Sequence, residues 1–406
     1  MRALPARPFS LAAVLDRRDA LAIGLVWLVW LGAVLAALGV GLAAGAYALR
    51  LGWSEHHGLW PLYAWDYNWY DHIARDGYPA GHDGREYAFF PLWPLVLRWA
   101  GTHWDVIVGG GLAWAASAAA FFGVSAGLPQ ARLRSALAVA CWPGSFALAI
   151  AYPDALALAA AAWAAALALR GRPVSAGALG AIAALARPNG VLIALPLAWL
   201  ARGRGVRGWL GASLPIGAAA GVEAYFWARS DHVDAFFDAQ RRWGRKGPEG
   251  LGNWGRHVGG VLERHGLLIG LLAAVAAVAL VLAWRRFGLW PTAIGAYVFA
   301  VPILLAATKS LQGLVDSARA ALVLPLLVVL WRLGPRYRPW AAFGTVVAGL
   351  LLLSGTIQSF GRQSLFAFPV FWAIADGPRW LRYPPLAVLG FAANIGLVLL
   401  LTRFAP

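Results

Sequence analysis

The sequence predicts an all-α, polytopic membrane bundle of about 11 to 13 segments, forming a single domain over residues 1–406. Three observations carry that prediction. The chain is 61% hydrophobic and only 13% charged over 406 residues, which is more apolar surface than one water-soluble core can hide. No charged residue occurs from Ala20 to Leu49, a run longer than the roughly 20 apolar residues with which a helix crosses the hydrocarbon core. Further charge-free stretches recur along the chain, separated by short arginine-rich turns.

The first stretch is longer than the apolar core of a cleavable signal and simply continues, so it reads as a retained anchor. Charge-free segments follow at about 106–131, 135–153, 155–169, 208–222, 266–284, 287–308, 339–361 and 383–402, most of them able to span. Shorter ones at about 320–331 and 363–375 can span with snorkelling or local thinning. Between them lie Arg132 and Arg134, Arg170 and Arg172, Arg202, Arg204 and Arg207, Arg285 and Arg286, Arg332, Arg336 and Arg338, and Arg379 and Arg382. Placed in the cytoplasm together with Arg2, Arg7, Arg17 and Arg18, these turns fall at every other crossing. The same rule accounts for the formal charge of +16 without a nucleic-acid partner. The single Cys141 excludes a disulfide framework and a multi-thiolate metal site. Two Lys against 32 Arg, with much Ala, Gly and Trp, point to GC-rich coding and a bacterial cytoplasmic membrane.

One stretch breaks the alternation. Pro173 to Leu200 joins two cytoplasmic turns, yet at 1.5 Å per residue it is too short for two crossings. It reads as a re-entrant helical hairpin whose tip, Arg187-Pro188-Asn189-Gly190, lies at membrane depth, where irregular backbone is tolerated only inside protein or beside a wet cavity. Two long loops then face outward, at about 50–105 and 229–265, and hold all eight His residues and most of the acids. The second is rich in cations against the positive-inside bias (Arg241, Arg242, Arg245, Lys246, Arg256, Arg264), which points to an anionic partner.

The first outer loop reads WDYNWYDHIARDGY from Trp65 to Tyr78 and EYAFFPLWPLVLRW from Glu86 to Trp99. Both predict helices lying at the headgroup boundary. Asp66 has two readings: the N-cap of its helix, with Trp65 and Tyr70 as the hydrophobic staple, or a carboxylate at the outer membrane surface able to take a proton from an acceptor hydroxyl. Asp154 follows Trp142-Pro143-Gly144-Ser145-Phe146 and opens a predicted helix, as a dipole partner or as a second functional acid. Arg187 is an intramembrane cation, expensive unless it meets a partner.

Taken in order, WD-x-x-WY-x-x-I-A-x-x-GY, FFPLWPL, PGSF with YPDAL, ARPNG, AQRRWGR and a late R-x-x-x-F-x-FP resemble the PIG-V mannosyltransferases, integral-membrane glycosyltransferases of the GT-C type. The resemblance runs from about Trp65 to Phe371. It implies transfer of a hexose, mannose above all, from a polyprenyl-phosphate donor to a hydroxyl of a lipid-linked or secreted glycan, with inversion, on the periplasmic or exterior face. On that resemblance Asp66 matches the catalytic aspartate, while Asp154 stands where relatives more often carry Glu. The late arginine matches Arg362, with Arg319 as a rival. Arg187, Arg241, Arg245, Arg319 and Arg362 are the candidates for the donor phosphate, since preorganised guanidinium groups stabilise charge developing on a departing phosphate. Asp154, Trp65, Trp69, Tyr70 and Gln240 are the candidates for substrate contact; Trp65, Tyr70, Phe89, Phe90 and Trp93 could stack on sugar or prenyl groups or serve as membrane-belt aromatics.

No cofactor is required, and neither an Asp-x-Asp motif, a Walker A sequence nor paired His or Cys at metal spacing occurs. A divalent metal stays open, because outer-face acids and His could gather in space. The competing reading from a different class is a glycolipid transporter or flippase, motivated by many spans and a broken intramembrane hairpin.

Overall fold

The computed structural model describes residues 15–43, 66–81, 83–101, 105–245, 326–353 and 360–377, with a few isolated helical positions between 263 and 396. All regular structure among the described residues is helical. Among the described residues two helices are long and apolar enough to cross a membrane: α1 (Arg17–Ala43), over Arg17–Gly41, and α4 (Asp105–Gly127), over Ile107–Gly127. The outward residues of α1, Leu21, Leu25, Leu28 and Val29, are as apolar as its inward Ile23, Trp30, Val34 and Leu38. A helix that is apolar all round needs apolar surroundings on both sides.

Two short helices, α2 (Asp66–Asp76) and α3 (Leu92–Ala100), lie before α4. After it, α5 (Arg132–Ala140) ends far sooner than the charge-free stretch 135–153 predicts, since nine residues rise only about 14 Å and Pro143-Gly144 then breaks the helix. Gly144 turns the chain at φ 116°, a 3₁₀ turn follows at Ser145–Ala149, and α6 begins at Asp154 (Asp154–Leu169). Irregular backbone in an apolar interior must find its own partners. Here tryptophans supply them: Trp93 Nε1 donates to the Ala151 carbonyl at 3.0 Å, Trp114 Nε1 to the Ala149 carbonyl at 3.0 Å, and Trp30 Nε1 to Ser145 Oγ at 3.0 Å.

The alanine-rich α6 packs between α4 and α7 (Pro173–Ala186), its small side chains letting the backbones approach. The chain then breaks at Arg187, which is extended, and at a 3₁₀ turn over Pro188–Ile193 before α8 (Ala194–Ala201). Gly190 lies hard against the Ala183 carbonyl, so the tip folds back on α7. α9 (Gly205–Ser230) continues through Pro215, with Gly211 meeting Gly177 and Pro215 meeting Gly180. Those pairings make α7 and α9 run the same way, with α8 returning between them: the up-and-back hairpin expected over 173–200.

α10 (Ala235–Arg242) docks on the 3₁₀ turn Arg85–Ala88, where Gln240 Nε2 and Trp243 Nε1 donate to the Ala88 and Arg85 carbonyls. Late in the chain, α11 (Arg338–Leu353) packs on α8 and on the turn Ser364–Ala367. That turn joins α12 (Phe360–Gln363) to α13 (Pro369–Asp376). The stretch 363–375, expected as a short span, is instead this turn plus an eight-residue helix, and Phe366, Phe368, Phe371 and Trp372 are all buried. It is a core plug, not a lipid-facing segment. Arg170 caps two helices at once, donating to the carbonyls of Ala126 and Ala166. Arg336 reaches the Leu169 carbonyl, and Arg132 pairs with Asp19. The basic turns 132–134, 170–172 and 336–338 therefore gather at one end of the bundle.

Candidate functional site

At the other end, five charged side chains from five separate parts of the chain converge. Arg362, on α12, donates from Nη2 to Asp66 Oδ2 at 2.6 Å, and its Nε lies 3.8 Å from Asp154 Oδ1. Arg187, at the hairpin break, donates to the same Asp154 Oδ1. Arg245, after α10, sits within electrostatic reach of Asp66, Arg187 and Arg362 and is held by Gln240, whose Oε1 accepts from Arg245 Nη1 at 2.8 Å. Local chemistry explains each placement. Asp66 and Asp154 open α2 and α6, where the helix dipole favours a carboxylate. Arg187 lies where Pro188 ends the α7 ladder and the backbone turns extended.

Exposure separates the two acids: the Asp66 side chain is 27% accessible, Asp154 only 5%. Asp66 keeps part of its carboxylate accessible, and Asp154 is sealed between two guanidinium groups. Burial alone would raise the Asp66 carboxyl, but the charge and hydrogen bond of Arg362, with Arg187 and Arg245 behind it, outweigh burial and hold it below its usual value. Asp66 is therefore ionised at neutral pH. Burial likewise pushes Arg245 below the usual arginine range and keeps the Tyr70 hydroxyl neutral by raising it.

Among the described residues, three guanidinium groups face two carboxylates in this buried cluster, one positive charge in excess. Arg362 Nε has no hydrogen-bond partner among the described residues. Guanidinium groups that outnumber carboxylates among the described residues, away from water, are suited to an anion, and a guanidinium fork matches phosphate oxygens.

Other predicted site residues fall in different places. Tyr70 is buried against the edge of Phe89, and Trp69 stacks on Phe89 at 5.8 Å with Trp243 edge-on to it, an aromatic wall beside Asp66 on the same helix. Gln240, expected to touch substrate, grips Arg245 and the Ala88 carbonyl. Arg241, expected at the phosphate, is 60% exposed and paired with Asp238, because it lies on the outer face of α10. Trp65 and Arg319 lie outside the described residues, as does the second outer loop beyond 245. Sequence reasoning missed Tyr152, whose ring lies 5.0 Å from the Arg362 guanidinium and whose hydroxyl shares a hydrogen bond with the Asp66 backbone. Its signals in the sequence are its place two residues before Asp154 and its position at the head of the YPDAL motif. Among the described residues no three His, Cys, Asp or Glu side chains gather as a metal site.

The chain matches no model of a known protein family and no curated protein.

Proposed function

We propose that the protein is a polytopic membrane glycosyltransferase of about 11 to 13 segments, working on the extracytoplasmic face of a bacterial cytoplasmic membrane. It transfers a hexose, mannose by its resemblance to the PIG-V enzymes, from a polyprenyl-phosphate donor to a glycan or glycolipid hydroxyl. The single observation that supports this reading is the buried cluster of Asp66, Asp154, Arg187, Arg245 and Arg362, one partly accessible carboxylate among three guanidinium groups.

In the proposed step, the acceptor oxygen attacks the anomeric carbon from the face opposite the phosphate. The bond from that carbon to the phosphate oxygen breaks, and its electron pair leaves on the phosphate. Asp66 takes the acceptor proton. Arg362 and Arg245 meet the charge growing on the departing phosphate, and Arg187 with Asp154 holds Arg362 in place. The products are the inverted glycoside and polyprenyl phosphate.

The test is transfer of radiolabelled mannose from synthetic polyprenyl-phosphate mannose by the purified protein, with native lipid extract as acceptor. Wild type transfers label, and Asp66→Asn loses about 10²- to 10⁴-fold, the usual contribution of a positioned base. Lipid moved across liposomes with no covalent product would instead make the protein a flippase.

A further inference from the structure

Arg362 already faces two anions, Asp66 through Nη2 and Asp154 through Nε, so a donor phosphate has to compete with Asp66 for the Nη2 edge. Its Nη2 is committed to Asp66 at 2.6 Å, yet glycosyl transfer needs that guanidinium on the donor phosphate and that carboxylate free to accept a proton. We propose that the donor resolves the conflict itself: its phosphate takes Arg362 from Asp66, and the carboxylate becomes available to the acceptor only when the donor is seated. The inference rests on reading Arg362 as a phosphate-binding group.

The geometry allows the exchange. Arg362 keeps its place without Asp66, since the Tyr152 ring lies against its guanidinium at 5.0 Å and Asp154 stands 3.8 Å from Nε. Asp66 can swing away without moving its helix, because α2 is anchored by the buried Tyr67, Tyr70, Ile73 and Ala74. The resting ion pair keeps the base occupied, and acceptor bound before donor meets a carboxylate already engaged. Donor therefore binds first.

The consequence is counterintuitive: removing the catalytic carboxylate should improve phosphate binding. The probe is radiolabelled farnesyl phosphate, with farnesol as control, measured by equilibrium dialysis against the purified full-length protein in detergent. Asp66→Asn is expected to bind about tenfold more tightly than wild type, the worth of one charge-assisted hydrogen bond no longer in competition. Arg362→Gln is expected to bind more weakly than wild type, and Asp66→Asn with Arg362→Gln no more tightly than Arg362→Gln alone. If the Gln variant does not fold, Arg362→Lys takes its place in the cycle, and there the gain from Asp66→Asn should shrink.

An Asp66→Asn variant that binds no better than wild type overturns the exchange. So does a gain of equal size in the Arg362 background, which would make it a diffuse effect of net charge. Unchanged binding by Arg362→Gln is a different failure: it removes the phosphate-binding reading itself.

Discussion

At the scale of single residues, the two acids divide the work by exposure. Asp154 lies between Arg187 and Arg362 and is nearly sealed, so its charge serves to hold the guanidinium groups. Removing one partner of a buried pair strands the other, at a cost of about 3–5 kcal/mol. Arg187→Ala should therefore lower the melting temperature in detergent sharply, and Arg187→Ala with Asp154→Ala should cost less than the sum of the two single changes. An additive loss would mean that the pair is not coupled. Asp66 carries a pH consequence. The groups facing it are Arg362 on α12, Arg187 at the hairpin break, Arg245 beyond α10, Tyr152 and Asp154 before and at the start of α6, and Tyr70 on α2 itself. Against the burial that would raise it, Arg362, Arg187 and Arg245 hold its carboxyl below the usual value of about 3.9, so the proposed base is lost only as pH falls through that lowered value. The acid limb of kcat/KM, which reports the free enzyme, should thus lie below the ordinary aspartate range. Once phosphate has taken Arg362, the restraint weakens, and the acid limb of kcat should lie higher. Coincident limbs would contradict the exchange of partners.

At the scale of elements, the site depends on a segment that is not a helix. Residues 141–153 carry Tyr152 and lead into Asp154, and they are fixed by indole N–H groups from α3 and α4. Trp93→Phe removes the indole N–H and part of the buried ring, leaving the Ala151 carbonyl unpaired, at a cost of about 1–3 kcal/mol, beside a small cavity that adds to the loss. The variant should melt earlier and lose transfer, whereas Trp99→Phe, an exposed position on the same helix, should do neither. Equal effects at the two positions would refute the clamp. This segment also marks the limit of what the sequence made legible. The hairpin could be read because Arg-Pro-Asn-Gly inside an apolar run has few structural uses, and both acids because helix openings attract carboxylates. Trp93 and Ala151 are 58 residues apart, and nothing local announces their bond. Tyr152 reads as one more aromatic in a chain full of them. The stretch 363–375 reads as able to span because hydropathy reports an apolar environment without saying whether lipid or protein supplies it.

At the scale of the whole molecule, charge has two distributions with two purposes. One end of the bundle collects Arg132, Arg170 and Arg336, each engaged with a carboxylate or with helix-terminal carbonyls. The other collects the cluster around Asp66, along with the exposed pairing of Arg242 with Asp83 at 2.6 Å. If the first end is cytoplasmic, as the arginine turns require, then Asp83 and Arg336 lie on opposite sides of the membrane. The experiment starts from Cys141→Ala, which removes the single native thiol, and adds Asp83→Cys or Arg336→Cys, both at exposed positions. A membrane-impermeant maleimide should label the first in intact cells, and the second only after permeabilisation. Labelling of both from one side would mean an even number of crossings between them, and Arg336 would then share a face with the site. Protection of Asp83→Cys until permeabilisation would put the cluster around Asp66 on the cytoplasmic side, away from an extracytoplasmic donor, and the topology and the proposed reaction would fall together.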